Sequence, residues 1–117
     1  MEQKPQGSQA QGPFRVKITP RAQEDLSEIS SGVADTILRL MKNKLSRAPD
    51  YFGEPLKGTG GMVWKTKPGK YRVLYVIRFN EKEVHVLAIK NRDSVYRPDQ
   101  LQTLINLAQE ILRPGHA

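Results

Sequence analysis

Cysteine is absent from the 117 residues, so nothing here depends on a disulfide or a thiolate nucleophile. Histidine occurs only at His85 and His116. His85 falls in the middle of a strand-like run and reads as structural, and His116 falls in the terminal tail. No Asp, Glu and His positions cluster as a two-metal site requires, so no metal and no cofactor are expected. No apolar run approaches the length of a membrane span, no signal-peptide pattern opens the chain, and there are no internal repeats. The expected compartment is the cytoplasm, with no membrane partner.

What the chain does have is positive charge. Its formal net charge is +7, with 38% hydrophobic and 26% charged residues, the composition of a single soluble domain that favours polyanionic partners. Between Lys57 and Arg92, nine Lys or Arg stand against Glu81 and Glu83 alone, a balance of +7 that leaves the rest of the chain neutral.

Residues 1–12 are rich in Gln, Gly, Ser and Pro without apolar periodicity and read as a disordered tail or an expression remnant. One domain is expected over residues 14–113, with residues 1–13 and 114–117 as tails. Phe14 to Ile18 alternates as a short strand. Thr19 is placed to cap a helix, Pro20 suits its first position, and Ala22, Leu26 and Ile29 form its stripe. Ser30 to Gly32 interrupts it. Val33, Ile37, Leu40, Met41 and Leu45 then mark a second helix, which Pro49 ends. A loop over 49–61 leads to three strands, near 62–67, 70–79 and 83–90, of which the middle one is apolar on both faces and expected to be central. Leu101, Leu104, Ile105, Ala108, Ile111 and Leu112 stripe a last helix. The expected fold is α+β: strand, two helices, three strands, helix. It is a small antiparallel sheet with an N-terminal helical hairpin packed on it and a C-terminal helix, the helices lying on one face.

Residues 64–77 read WKTKPGKYRVLYVI. With Pro68-Gly69 as a two-residue turn, Lys67 pairs with Lys70, Thr66 with Tyr71 and Lys65 with Arg72. Lys65, Lys67, Lys70 and Arg72 then share one face, and Trp64, Thr66, Tyr71 and Val73 the other. Like charges opposite one another weaken a ladder unless solvent or an anion faces them. A solvated lysine face that discourages edge pairing is one account; the concentration of the whole net charge here favours an anion site. The stretch IKNRDSVY places Lys90, Arg92 and Tyr96 at the end of the last strand, where Arg92 can reach the same face. Several cations on a phosphodiester, beside a tyrosine able to stack on a base, make a coherent RNA site. Lys57, Lys70, Lys90 and Arg78 are further candidates to hold RNA, although Lys57 and Arg78, like Lys82, also read as solvated surface.

Metal-free RNA cleavage uses the neighbouring 2′-hydroxyl as nucleophile. It needs a base for that hydroxyl, cations for the phosphorane and an acid for the leaving 5′-oxygen. In a dense positive cluster like charge favours a neutral amine, which makes a lysine a conceivable base.

These motifs resemble the RelE/ParE superfamily of toxins from toxin–antitoxin pairs, and its RelE branch in particular. PLKG, WKTKPGKYRVLYVI and IKNRDSVY match the family's Leu-x-Gly element, basic-x-basic strand, Gly-x-Tyr-Arg-Val-x-Tyr strand and Arg-x-x-Val-Tyr ending. The element order also fits from Phe14 to Leu112. The resemblance implies a ribosome-dependent mRNA endonuclease acting in the ribosomal A site. It implies Lys67 as general base, Lys65 and Arg72 as phosphate and transition-state stabilisers, Arg92 as acid or leaving-group stabiliser and Tyr96 as a stacking residue. Ribosomal RNA and a cognate acidic antitoxin, in a heterotetramer with the toxin, are the implied partners. Lys70, Asn91 and Pro68 depart from the family pattern, where many relatives carry an acid, a His and an aliphatic residue. A ParE-like DNA gyrase inhibitor and a noncatalytic basic module that binds RNA or protein are the alternatives.

Overall fold

The computed structural model describes residues 13–115; the expected tail over residues 1–12 and the last two residues lie outside that range. The elements are β1 (Arg15–Ile18), α1 (Pro20–Ser27), α2 (Ser31–Leu40), β2 (Glu54–Pro55), β3 (Trp64–Thr66), β4 (Tyr71–Arg78), β5 (Glu83–Asn91) and α3 (Pro98–Leu112). The sheet order is β1-β5-β4-β3-β2, with β4 in the centre as expected. Among the described residues no helix is long and apolar enough to cross a membrane.

Local chemistry sets the first turn of the fold. Thr19 caps α1 by accepting the Ala22 N–H (3.3 Å) and donates its own hydroxyl to the Val86 carbonyl (2.8 Å), so one side chain both starts α1 and ties it to β5. α2 runs on as a π-helical turn over Met41–Leu45, where the Ser46 N–H reaches the Met41 carbonyl at 3.1 Å. Met41 and Leu45 are both buried there.

The α+β class and the order of the long elements stand as expected, but three features of the sheet differ. β1 runs parallel to β5, so the sheet is mixed. β2, only two residues long, adds an edge strand beyond β3 that has no periodicity to betray it. The helices also lie on both faces. α1 and α2 bury Ala22, Leu26, Ile37 and Met41 against Val73, Tyr75 and Ile77, whereas α3 buries Leu104, Ala108 and Ile111 against Leu74, Val76 and Leu87. β4 is apolar on both sides because each side meets a helix layer. A register shift between Leu74 and Tyr75 leaves Leu87 unpaired on β5, which lets Val84, Val86 and Ile89 face one core and Leu87 and Ala88 the other.

The far end of the sheet is held by a buried carboxylate. Glu83 accepts from Arg15 (2.8 Å) and lies 3.0 Å from Lys17, 3.0 Å from His85 Nε2 and 3.6 Å from Arg78. The Arg15 hydrogen bond, then those of His85 and Lys17, hold its carboxyl at about 2 against an ordinary 4.5. The folded state therefore binds this proton less tightly than the unfolded chain. The stabilisation is complete above the unfolded value and is lost as pH falls through it toward about 2. Glu83→Gln is expected to lower Tm at neutral pH and to flatten its fall across that acid window. Melts of both proteins against pH check this; parallel curves would remove Glu83 from the acid response.

Candidate nucleic-acid interface

The opposite end of the sheet gathers the cations. The Tyr71 N–H closes a turn onto the Pro68 carbonyl (3.0 Å), with Gly69 at φ 59, a left-handed value that favours glycine. The two turn residues are thus Gly69 and Lys70, one later than the expected Pro68-Gly69. Thr66 pairs with Val73 and Lys65 with Leu74, so Lys65 does not face Arg72 directly. Displacing the turn by one residue changes the pairing by two, which keeps the strand side chains on their expected faces. Lys70, expected on the face of Lys65, Lys67 and Arg72, becomes a turn residue instead and leaves it. Lys65, Lys67 and Arg72 share the face that α3 covers farther along, while Trp64 and Tyr71 pack with the α1–α2 core. Arg72 donates to the Tyr71 (2.8 Å) and Gly69 (3.2 Å) carbonyls.

Two more candidates lie on the chain beyond β5, Arg92 tied to the turn through its backbone and Tyr96 meeting Lys65 through its side chain. The Arg92 N–H donates to the Lys70 carbonyl (2.9 Å), one rung past the Tyr71–Asn91 pair. Its guanidinium is exposed, with Nε 3.7 Å from Asp93. The Asn91 side chain accepts the Asp93 N–H (3.0 Å) in the turn that leads to Tyr96, just ahead of α3. Lys65 Nζ donates to the Tyr96 hydroxyl and lies 5.1 Å from the centroid of its ring.

The remaining candidates stand apart. Lys57 is exposed in the loop between β2 and β3. Lys70 lies in the turn with its ammonium 5.8 Å from the Tyr71 ring centroid, toward the other face. Lys90 sits opposite Arg72 in the ladder, but its side chain pairs with Asp25 of α1 (3.4 Å). The second oxygen of Asp25 accepts the Ile89 N–H (2.9 Å), so α1 satisfies the edge of β5 where β1 has ended. Arg78 is at the far end of β4, in the Glu83 cluster.

One residue of the group was not anticipated. Glu54 of β2 pairs with Lys65 across the ladder, and its carboxylate is 3.1 Å from Lys67 Nζ and 3.8 Å from Lys65 Nζ. The hydrogen bond and charge of Lys67, with smaller contributions from Lys65 and Arg72, hold this carboxyl below its usual range. Glu54 reaches the cations because Gly53 lets β2 come close: a Cβ at residue 53 would stand 1.8 Å from Tyr75 Oη and 2.9 Å from the Lys65 carbonyl. Glu54, Lys65 and Lys67 line an open cleft of about 350 Å³ together with Tyr51 and Phe52. The only sequence signal for Glu54 was its place just before the PLKG element. The site thus offers several cationic donors, one ionised acceptor and two exposed aromatic rings, Tyr51 and Tyr96. Among the described residues no three His, Asp or Glu side chains are grouped to hold a metal ion.

Residues 16–96 match the family model described as the ParE toxin of the type II toxin–antitoxin system parDE. The chain belongs to this family, within the RelE/ParE toxin superfamily, and is a RelE-like toxin of a type II toxin–antitoxin system. Among curated proteins it is similar to Toxin RelG of Mycobacterium tuberculosis, 28% identical over 85 residues, which cover 73% of this chain and 98% of that protein. Among solved structures it resembles the toxin–antitoxin complex RelBE2 from the same organism, with a TM-score of 0.64 and 28% identity over 68% of this chain and 99% of the other. It also resembles the archaeal RelE–RelB complex from Pyrococcus horikoshii, with a TM-score of 0.57 and 26% identity over 68% of this chain and 96% of the other.

Proposed function

We propose that this toxin is a metal-independent endoribonuclease that cleaves mRNA in the ribosomal A site. The observation that carries the reading is the gathering of Lys65, Lys67 and Arg72 on one sheet face around the ionised Glu54, with Tyr96 held on Lys65. Lys65 and Arg72 grip the scissile phosphate and stabilise the charge that grows on it as the 2′-oxygen attacks. Lys67 is engaged with Glu54 at 3.1 Å, so the carboxylate supplies the proton acceptor for the 2′-hydroxyl and Lys67 orients it. Arg92, exposed at the end of β5, neutralises the leaving 5′-oxygen, and Tyr96 stacks on a base at the cut. Lys57 and the other outlying cations add contacts to ribosomal RNA. The toxin works in the cytoplasm and is restrained by an antitoxin that covers this basic face, as the relatives solved as RelBE2 and RelE–RelB complexes suggest.

Induction of the wild-type toxin is expected to produce new mRNA 5′ ends at codon positions in primer extension, and Glu54→Gln is expected to produce far fewer while remaining folded. Arrested growth with intact mRNA would overturn the reading. The match to the ParE model supports a second reading, inhibition of DNA gyrase. Loss of supercoiling in vitro with no new RNA ends would establish that one instead.

A further inference from the structure

The cleft beside the cations continues onto two aromatic rings that the catalytic reading does not use. Tyr51 and Phe52 leave the end of the α2 segment, where both N–H groups donate to the Ala48 carbonyl at 3.1 and 3.0 Å. Their rings stand edge to face, centroids 5.0 Å apart at 89°. Tyr51 belongs to neither core cluster and is 46% exposed, a large ring kept in water at the rim of the cleft that Lys65 and Lys67 line. Lys44 Nζ lies 5.5 Å from the Phe52 ring centroid. From Ile37 to Pro49 the chain carries Arg39, Lys42, Lys44 and Arg47 and no acid. Among the described residues none of those four forms an ion pair.

We propose that Tyr51 and Phe52 form a stacking platform for one base of single-stranded RNA. The base is that of the nucleotide next to the phosphate held by Lys65, Lys67 and Arg72, and Lys44 meets the following phosphate. The inference rests on the reading of the site as an RNA interface and adds a subsite to it. An exposed ring within a positive cleft is what single strands bind: every base presents a π-face, so stacking holds it without regard to sequence while cations follow the backbone. The cleft, about 350 Å³, is in the small range of ligand sites and suits one base rather than a structured stem. Two lysines against the single carboxylate of Glu54, with Lys44 over the Phe52 ring, set cations beside the rings, which favours a nucleotide over an apolar side chain.

The test uses ribosomes programmed with an mRNA whose cut linkage has been mapped. A 2′-deoxynucleotide blocks the cut, and 2-aminopurine replaces the base next to it. Wild type and Tyr51→Phe are expected to quench the aminopurine fluorescence equally. Tyr51→Ala is expected to lose most of the quench and to need about tenfold more protein for half-saturation, with an unchanged melt. If wild type cleaves mRNA and Tyr51→Ala quenches and saturates like it, the platform is overturned and the endonuclease reading stands. Weakened antitoxin binding by Tyr51→Ala with wild-type quenching assigns the rings to a protein contact and also overturns the platform. A wild-type protein that neither quenches nor cleaves overturns both.

Discussion

Arg72→Ala is expected to slow cleavage on programmed ribosomes by a factor of about 10²–10³, the usual effect of removing one preorganised donor to a developing oxyanion. Arg72 meets the requirements for that role. It lies on the central strand, held by the Tyr71 and Gly69 carbonyls at 2.8 and 3.2 Å, so its fork is fixed before RNA arrives. Its backbone neighbour across the ladder, Lys90, is turned to Asp25, and Lys67 across the turn is occupied with Glu54. Arg72→Lys keeps the charge but loses the paired geometry, so it is expected to recover only part of the rate. The bonds lost are local to the turn and should cost no more than about 1 kcal/mol each. Single-turnover rates beside thermal melts separate the two effects. A rate close to wild type for a folded Arg72→Ala would remove this residue from the transition state.

Gly53→Ala is expected to destabilise the protein by about 2–4 kcal/mol. The new methyl would stand 1.8 Å from Tyr75 Oη and 2.9 Å from the Lys65 carbonyl. Neither can give way cheaply. Tyr75 is fully buried in the α1–α2 core and donates to the Pro49 carbonyl at 2.7 Å, and the Lys65 carbonyl belongs to β3. Relief requires either the Tyr75 hydroxyl to lose its partner or β2 to leave β3. The second route carries Glu54 away from Lys67, so whatever folded protein remains should also cleave poorly. Denaturant unfolding measures the first effect, and the cleavage rate at a temperature where the variant stays folded measures the second. A change under about 0.5 kcal/mol would show that β2 is not pressed against Tyr75 in solution.

Much of this was legible in local patterns. Thr19 and Pro20 announced α1, and the alternation of Val73, Tyr75 and Ile77 with Leu74 and Val76 marked a strand buried on both sides. Of the four cations expected on one face, Lys65, Lys67 and Arg72 keep it, because displacing the turn by one residue moves the register by an even number, while Lys70 becomes a turn residue and leaves it. What stayed hidden depends on long-range contacts. The two-residue β2 has no period, and it forms because Gly53 fits against Tyr75. Glu54 enters the site only through that pairing. The parallel docking of β1 and the placement of α3 opposite α1 and α2 follow from how the layers close over β4 and β5, and no stripe on one helix encodes it. Lys90 and Arg78 looked like free cations because their partners, Asp25 and Glu83, are distant in sequence or buried.

The central claim is that the cation face cuts RNA through the 2′-hydroxyl rather than only holding it. Purified toxin added to programmed ribosomes tests this directly, by mass analysis of the fragment ends with Lys67→Ala run beside the wild type. A 2′,3′-cyclic phosphate on the upstream fragment and a 5′-hydroxyl on the downstream one, both strongly reduced in Lys67→Ala, are the expected result. Intact mRNA, or a 5′-phosphate at the cut, would contradict the account.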